Sequence, residues 1–103
     1  MQRLTIFRFG DGDDAVERAK AMDAALGDIA REHGGLASIC ARDGDEVLLL
    51  NLWSTAEGSE AMARDPRVLE ALKRHGYDGP PPNRQHFDVA YARFTEERVG
   101  TAP

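Results

Sequence analysis

The stretch VLLLNLW at residues 47–53 limits what this chain can fold into more than any other. When extended, it turns Leu48, Leu50 and Leu52 to one side and Val47, Leu49, Asn51 and Trp53 to the other. An antiparallel strand with one wet face alternates apolar with polar residues. This one does not, and it is far too short to span a bilayer. It therefore predicts a central strand in a sheet that is covered on both faces. Helices of the same chain can cover one face. Exposing three leucines on the other would forgo roughly 1.5–3 kcal/mol for each side chain and leave an adhesive patch. A twofold copy of the sheet is the expected cover, giving a homodimer. The alternative is that the Pro-rich loop and the C-terminal tail fold back over that face.

The rest of the chain supplies the partners of this strand. Residues 4–9 read as a first strand, followed by a turn at Gly10 to Asp14. Asp14 and Glu17 have capping-box spacing. A helix is expected over 15–33, because Val16, Ala19, Met22, Leu26, Ile29 and His33 recur at three- and four-residue steps. Gly34 and Gly35 end it. Residues 36–42 read as a second strand, joined by an Asp-Gly hairpin signal at Asp43 and Gly44 to the strand at 46–53. Ser54 and Glu57 repeat the capping-box spacing. Asp65 before Pro66 suits a cap and first helical position, so the helix breaks and restarts there. It stops at Gly76, ahead of Pro80, Pro81 and Pro82. A last strand is expected over 85–94. The order strand-helix-strand-strand-helix-strand is the split βαβ pattern: an α+β, ferredoxin-like domain over 1–95, with helices on one face of a four-stranded antiparallel sheet and a mobile tail at 96–103.

Charge narrows the partners. Thirteen Lys and Arg face eighteen Asp and Glu, a net charge of -5. Nucleic acid and anionic membranes are disfavoured, and the basic residues are scattered along the sequence with no patch to override the total. The N-terminal segment alternates like a strand and lacks the apolar core of a signal peptide. The one cysteine, Cys40, forms no internal disulfide. A cytoplasmic protein is expected.

The stretch NLWSTAEGSEAMARDPRVLEAL, with a strand ending in Trp53, a helix start at Ser54 and the restart at Asp65, Pro66 and Arg67, resembles the antibiotic-biosynthesis-monooxygenase-like group of the dimeric α+β barrel superfamily. The resemblance implies two sheets joined in a barrel across a dimer, with a pocket in each subunit. It implies a small-molecule-binding protein: a cofactor-independent monooxygenase or isomerase acting on a cyclic or aromatic metabolite. Haem-degrading members use a first-strand Asn, a helical Trp and an iron-binding His. Here the first strand has no Asn, and Met62 and Ala71 stand at the other two positions, with His75 one turn beyond. In the quinone-forming members the strand Trp works with an Asn and a Tyr. Trp53 matches, whereas Leu49 and Ser59 occupy the other two positions and Asn51 lies one pleat nearer the Trp. These departures keep open a second reading, a structural or stress-related dimer with a vestigial pocket.

Individual residues carry the candidate chemistry. Asn51 interrupts an apolar face, so it either meets a ligand or bonds to a neighbouring strand or across a dimer. Trp53 either stacks on a flat ligand or anchors packing. His86, which titrates near neutrality, is the best acid/base candidate if it faces the interior and a solvated edge residue otherwise. Arg8 either clamps a carboxylate or pairs with an acid across the sheet. Tyr91 either donates to a substrate oxygen or packs. His33 and His75 end helices and read as caps, and Cys40 as an inert thiol. The three histidines have no metal-ligand spacing and the acidic run at 11–14 no calcium-loop spacing, so neither a metal nor a cofactor is expected.

Overall fold

The computed structural model describes residues 1–94; the tail expected at 96–103 lies outside the described residues. The elements are β1 (Arg3–Asp11), α1 (Gly12–Glu32), β2 (Gly35–Asp43), β3 (Glu46–Trp53), α2 (Ala56–Arg64), α3 (Pro66–Arg74) and β4 (Gln85–Asp88). The sheet order is β2-β3-β1-β4, and every pairing is antiparallel. This is the expected α+β, ferredoxin-like arrangement.

Two strand irregularities aim side chains at the helices. In β1 the register shifts between Arg8 and Gly10, leaving Phe9 as an extra residue. Phe9 packs against the cluster of Met22, Val68 and Leu72, and its ring lies 5.8 Å from that of Tyr77. In β2 a matching shift between Gly35 and Ala37 leaves Leu36 unpaired with β3.

Four local expectations are corrected. Asp14 does not cap α1. The helix begins at Gly12, whose N–H donates to the Asp45 carbonyl at 2.7 Å, so a bond to the β2–β3 hairpin sets its start. Ser54 does not cap α2: its N–H donates to the Gly34 carbonyl at 2.8 Å, and the helix starts one residue later, with Thr55 as the cap, accepting from the Gly58 N–H at 3.0 Å. The hairpin turns on Gly44 (φ 62) and Asp45 while Asp43 stays in β2, so a single positive-φ residue suffices. The last strand ends at Asp88, not at residue 94. Asp88 pairs with Arg3, the first residue of β1, and only the Val89 N–H bond to the Gln2 carbonyl continues the ladder.

The cap at Asp65 is present as expected, with Pro66 opening α3. Its carboxylate accepts from the Arg67 backbone and guanidinium and contacts His33 Nε2 at 2.9 Å, while Arg67 reaches on to Glu32. The Arg67 bonds first, then His33, hold the Asp65 carboxyl well below the usual carboxylate range. This network ties the end of α1 to the α2–α3 junction. His75 ends α3 as a cap residue.

Candidate functional site

The pairing registers sort the sheet into rows. On the helix-facing side, His86 stands opposite Thr5, Thr5 opposite Asn51, and Asn51 opposite Ser38. A polar row thus crosses all four strands. It lies between apolar neighbours: Phe7, Leu49 and Cys40 on one side, and Trp53, opposite Arg3, on the other. The open side is different. Phe87, Leu4, Leu52 and Ala37 form one row, and Gln85, Ile6, Leu50 and Ile39 the next.

Between the polar row and the helices lies a cavity of about 1040 Å³. Its apolar wall includes Phe7, Phe9, Met22, Leu26, Leu49 and Met62, and the loop containing Pro80, Pro81 and Pro82 closes one side. Thr5, Ser38, Asn51 and Ser59 are set among these apolar side chains, and Arg8, Lys20, Asp23, Arg31, Asp78 and Arg84 also border the cavity. Thr5 and Ser59 are buried. Asn51 makes no side-chain hydrogen bond to any described residue, although both neighbouring strands offer a polar residue opposite it. Trp53 is buried and lines the same cavity, and its indole Nε1–H is a buried donor without a partner among the described residues. Buried polar atoms in native proteins are nearly always paired, which makes the Trp53 donor exceptional; the Asn51 amide is half-buried and open to the cavity, where a ligand can meet it.

A smaller cleft of about 410 Å³ adjoins the cavity and shares Ser59, Ala63, Pro80 and Arg84 with it. His86 lines this cleft. Its Nδ1 sits 3.0 Å from Thr5 Oγ1, which fixes the ring and can serve either tautomer. Desolvation, then the nearby Arg3 and Arg84 cations, push the imidazole below its ordinary value near 6.5. His86 is therefore neutral at physiological pH and able to take a proton.

His86, Asn51 and Trp53 share one face of the sheet but line different spaces: Asn51 and Trp53 line the large cavity, while His86 lines only the cleft and is exposed on the edge strand β4. Arg8 borders the large cavity, but its guanidinium is mostly exposed and pairs with Glu46 at 3.2 Å on the open side. Tyr91 lies beyond β4 and is 80% exposed. Neither side chain joins the group. Sequence reasoning missed Thr5 and Ser38. The signal for Thr5 was available, since it is a polar residue on an apolar strand face just as Asn51 is. It also took the basic residues as scattered. They are scattered in sequence only: Arg3, Arg64 and Arg84 meet at the cleft. Among the described residues no His, Cys, Asp or Glu cluster is arranged to hold a metal ion, and no helix is long and apolar enough to cross a membrane.

No protein-family model matches the sequence, and no curated protein matches it either. Solved structures do. A Chloroflexus aurantiacus protein, provisionally named an antibiotic biosynthesis monooxygenase, superposes with a TM-score of 0.65 at 13% identity, over 91% of this chain and 98% of its own. The protein Rv0793 of Mycobacterium tuberculosis gives a TM-score of 0.63 at 17% identity, over 89% and 98%. The chain has the ferredoxin-like fold of antibiotic-biosynthesis-monooxygenase-like proteins; at these identities the likeness is one of fold.

Proposed function

We propose that the chain binds a flat cyclic or phenolic small molecule between its sheet and its helices and acts on it without a cofactor. The observation that carries this reading is the polar row, whose member Asn51 has no side-chain partner among the described residues and faces a cavity walled largely by apolar side chains. His86 and Asn51 are two strands apart, which at about 4.8 Å per strand separates them by roughly 10 Å. A molecule of two or more fused rings spans that distance. Its body lies on Phe7, Leu49 and Trp53, one oxygen accepts from Asn51, and another meets His86. A neutral His86 can remove a phenolic proton, and the resulting electron-rich ring is the kind that reacts directly with dioxygen as co-substrate. A monooxygenase-like reaction is the first expectation, in keeping with the name borne by one neighbour in fold; proton relocation within the ring is the simpler variant.

Trp53 is the only tryptophan, so its fluorescence reports on the cavity. Titration with phenols, quinones, fused-ring aromatics and haem should give saturable quenching by fused-ring phenols, followed by oxygen uptake with the same compounds. Because burial and the two arginines lower the His86 pKa, proton uptake by the ring should persist to below pH 6.5 and fail as the imidazole protonates. Quenching by none of these compounds, in a folded protein, would support the alternative reading of a non-enzymatic barrel with a vestigial pocket.

A homodimer forms the second part of the proposal. Leu4, Ile6, Ile39, Leu48, Leu50, Leu52 and Phe87 all lie on the open face, with Ile39 54% and Phe87 47% exposed. The Pro-rich loop lines the helix-side cavity, so it does not cover them. Residues 95–103 read TEERVGTAP, with Val99 as the one sizeable apolar side chain. A second copy of the same face is the cover that matches in shape and chemistry.

A further inference from the structure

The smaller cleft has a charge that the chain as a whole does not. Arg3, Arg64 and Arg84 surround it with one carboxylate, Glu60, while the whole chain carries -5. Arg3 is the most sheltered, its side chain 17% exposed, and it lies 3.5 Å from Glu60. Arg84 is held by its Nε–H, which donates to the Pro81 carbonyl at 3.1 Å, so both terminal nitrogens remain to face the cleft. Arg64 has no ion-pair partner among the described residues. Three arginines, from a strand, a helix and the loop before β4, line one cleft with a single carboxylate among them. Keeping like charges together has a cost that an anionic ligand would remove.

We propose that this cleft is the anion subsite of the large cavity, and that the ligand is an aromatic carboxylic acid whose ring lies on the apolar wall and whose carboxylate is held by Arg3, Arg64 and Arg84. The inference rests on the binding reading above and adds the acidic group to it. The continuity of the two spaces supports a single ligand, since Ser59, Ala63, Pro80 and Arg84 border both. A guanidinium presents parallel N–H donors that match a carboxylate in two bonds, which a neutral amide cannot reproduce. Held there, the acid would lie beside His86, with the ring reaching toward Asn51.

The test compares 2-naphthoate with 2-naphthamide, a charged and a neutral probe of one shape, by quenching of Trp53 in wild type, Arg84→Gln and Arg64→Gln. Arg64 is exposed in the last turn of α2, so the second variant tests the idea without risk to folding. The naphthoate should bind at least about tenfold tighter than the amide, the effect of one hydrogen bond to a charged group. Either variant should reduce that advantage, and added salt should weaken the naphthoate more than the amide. Equal binding of the two probes overturns the anion subsite and leaves the binding reading standing. Binding of neither overturns the subsite, and the binding reading falls with it only if the fused-ring phenols also fail to quench. An advantage that survives both arginine substitutions also overturns the assignment, by placing the charge recognition elsewhere.

Discussion

Replacing Asn51 by leucine should stabilise the empty protein while it weakens ligand binding. Asn51 sits half-buried on an apolar sheet face, and no described side chain or backbone group bonds its amide. A fully buried amide without a partner costs about 1–3 kcal/mol, and half-burial brings this to about 0.5–1.5 kcal/mol. Leucine also gains part of the roughly 1.5–3 kcal/mol of a fully buried apolar side chain. The cavity beside it leaves room, so no overpacking opposes the gain. The net expectation is about 1–2 kcal/mol in favour of the variant. In a domain of this size that raises the melting temperature by roughly 4–8 °C per kcal/mol. Urea denaturation at a fixed protein concentration should show a higher midpoint with an unchanged slope. Affinity for a fused-ring phenol should fall about tenfold, one net hydrogen bond. The neighbouring position in the same row supplies the contrast. Thr5 is buried and its hydroxyl is paired with His86, so Thr5→Val should cost about 1 kcal/mol. A leucine variant no more stable than wild type would refute the reasoning, because it would mean that the Asn51 amide holds a partner within the folded chain.

Two further outcomes follow from packing. Glycine to alanine inside a helix ordinarily stabilises by about 0.5–1 kcal/mol. At Gly58 in α2, however, a Cβ would run into the His33 carbonyl, which closes α1 and cannot retreat, so Gly58→Ala should lower the denaturation midpoint; a rise would show that the two helices are not in close contact. Leu50→Lys, in the middle of the open apolar face, should turn the dimer into a monomer by sedimentation while leaving the chain folded; a wild type that already sediments as a monomer would refute the proposed pairing.

Much of the fold was legible because it is written in local chemistry. The limits of β3 follow from an apolar run, broken only by Asn51, between a turn and a helix start, and the break between α2 and α3 follows from Asp65 and Pro66. Less was legible where a distant group decided a local outcome. The start of α1 depends on a bond from Gly12 to Asp45, and a bond from the Ser54 amide to Gly34 ties the end of β3 to the loop after α1, so that α2 starts one residue later under Thr55. The site was half legible. Alternation put Asn51 and Trp53 on one face of β3, but register decides what lies opposite them. That register includes the irregularities at Phe9 and Leu36, which no periodicity announces. The arginine cleft was not legible at all, because its members come from β1, α2 and the loop before β4 and meet only once β4 pairs with β1 and α2 packs over the sheet.

These features share one physical origin. The sheet is underfilled on the side that its helices cover and uncovered on the side that they do not. On the helix side, Met22, Val68 and Leu72 with their partly buried neighbours pack against Phe9, while the polar row faces open space. Apolar side chains in that space would make a larger core and leave no site, so the cavity is a place where stability has been forgone. On the open side, the leucines of β3 are apolar without cover from the described chain. A ligand in the cavity and a copy on the open face would each bind the folded form only, and each would raise stability by mass action. A domain of this size with so small a core has most to gain from both, which explains why one strand, β3, is apolar on one face and nearly so on the other.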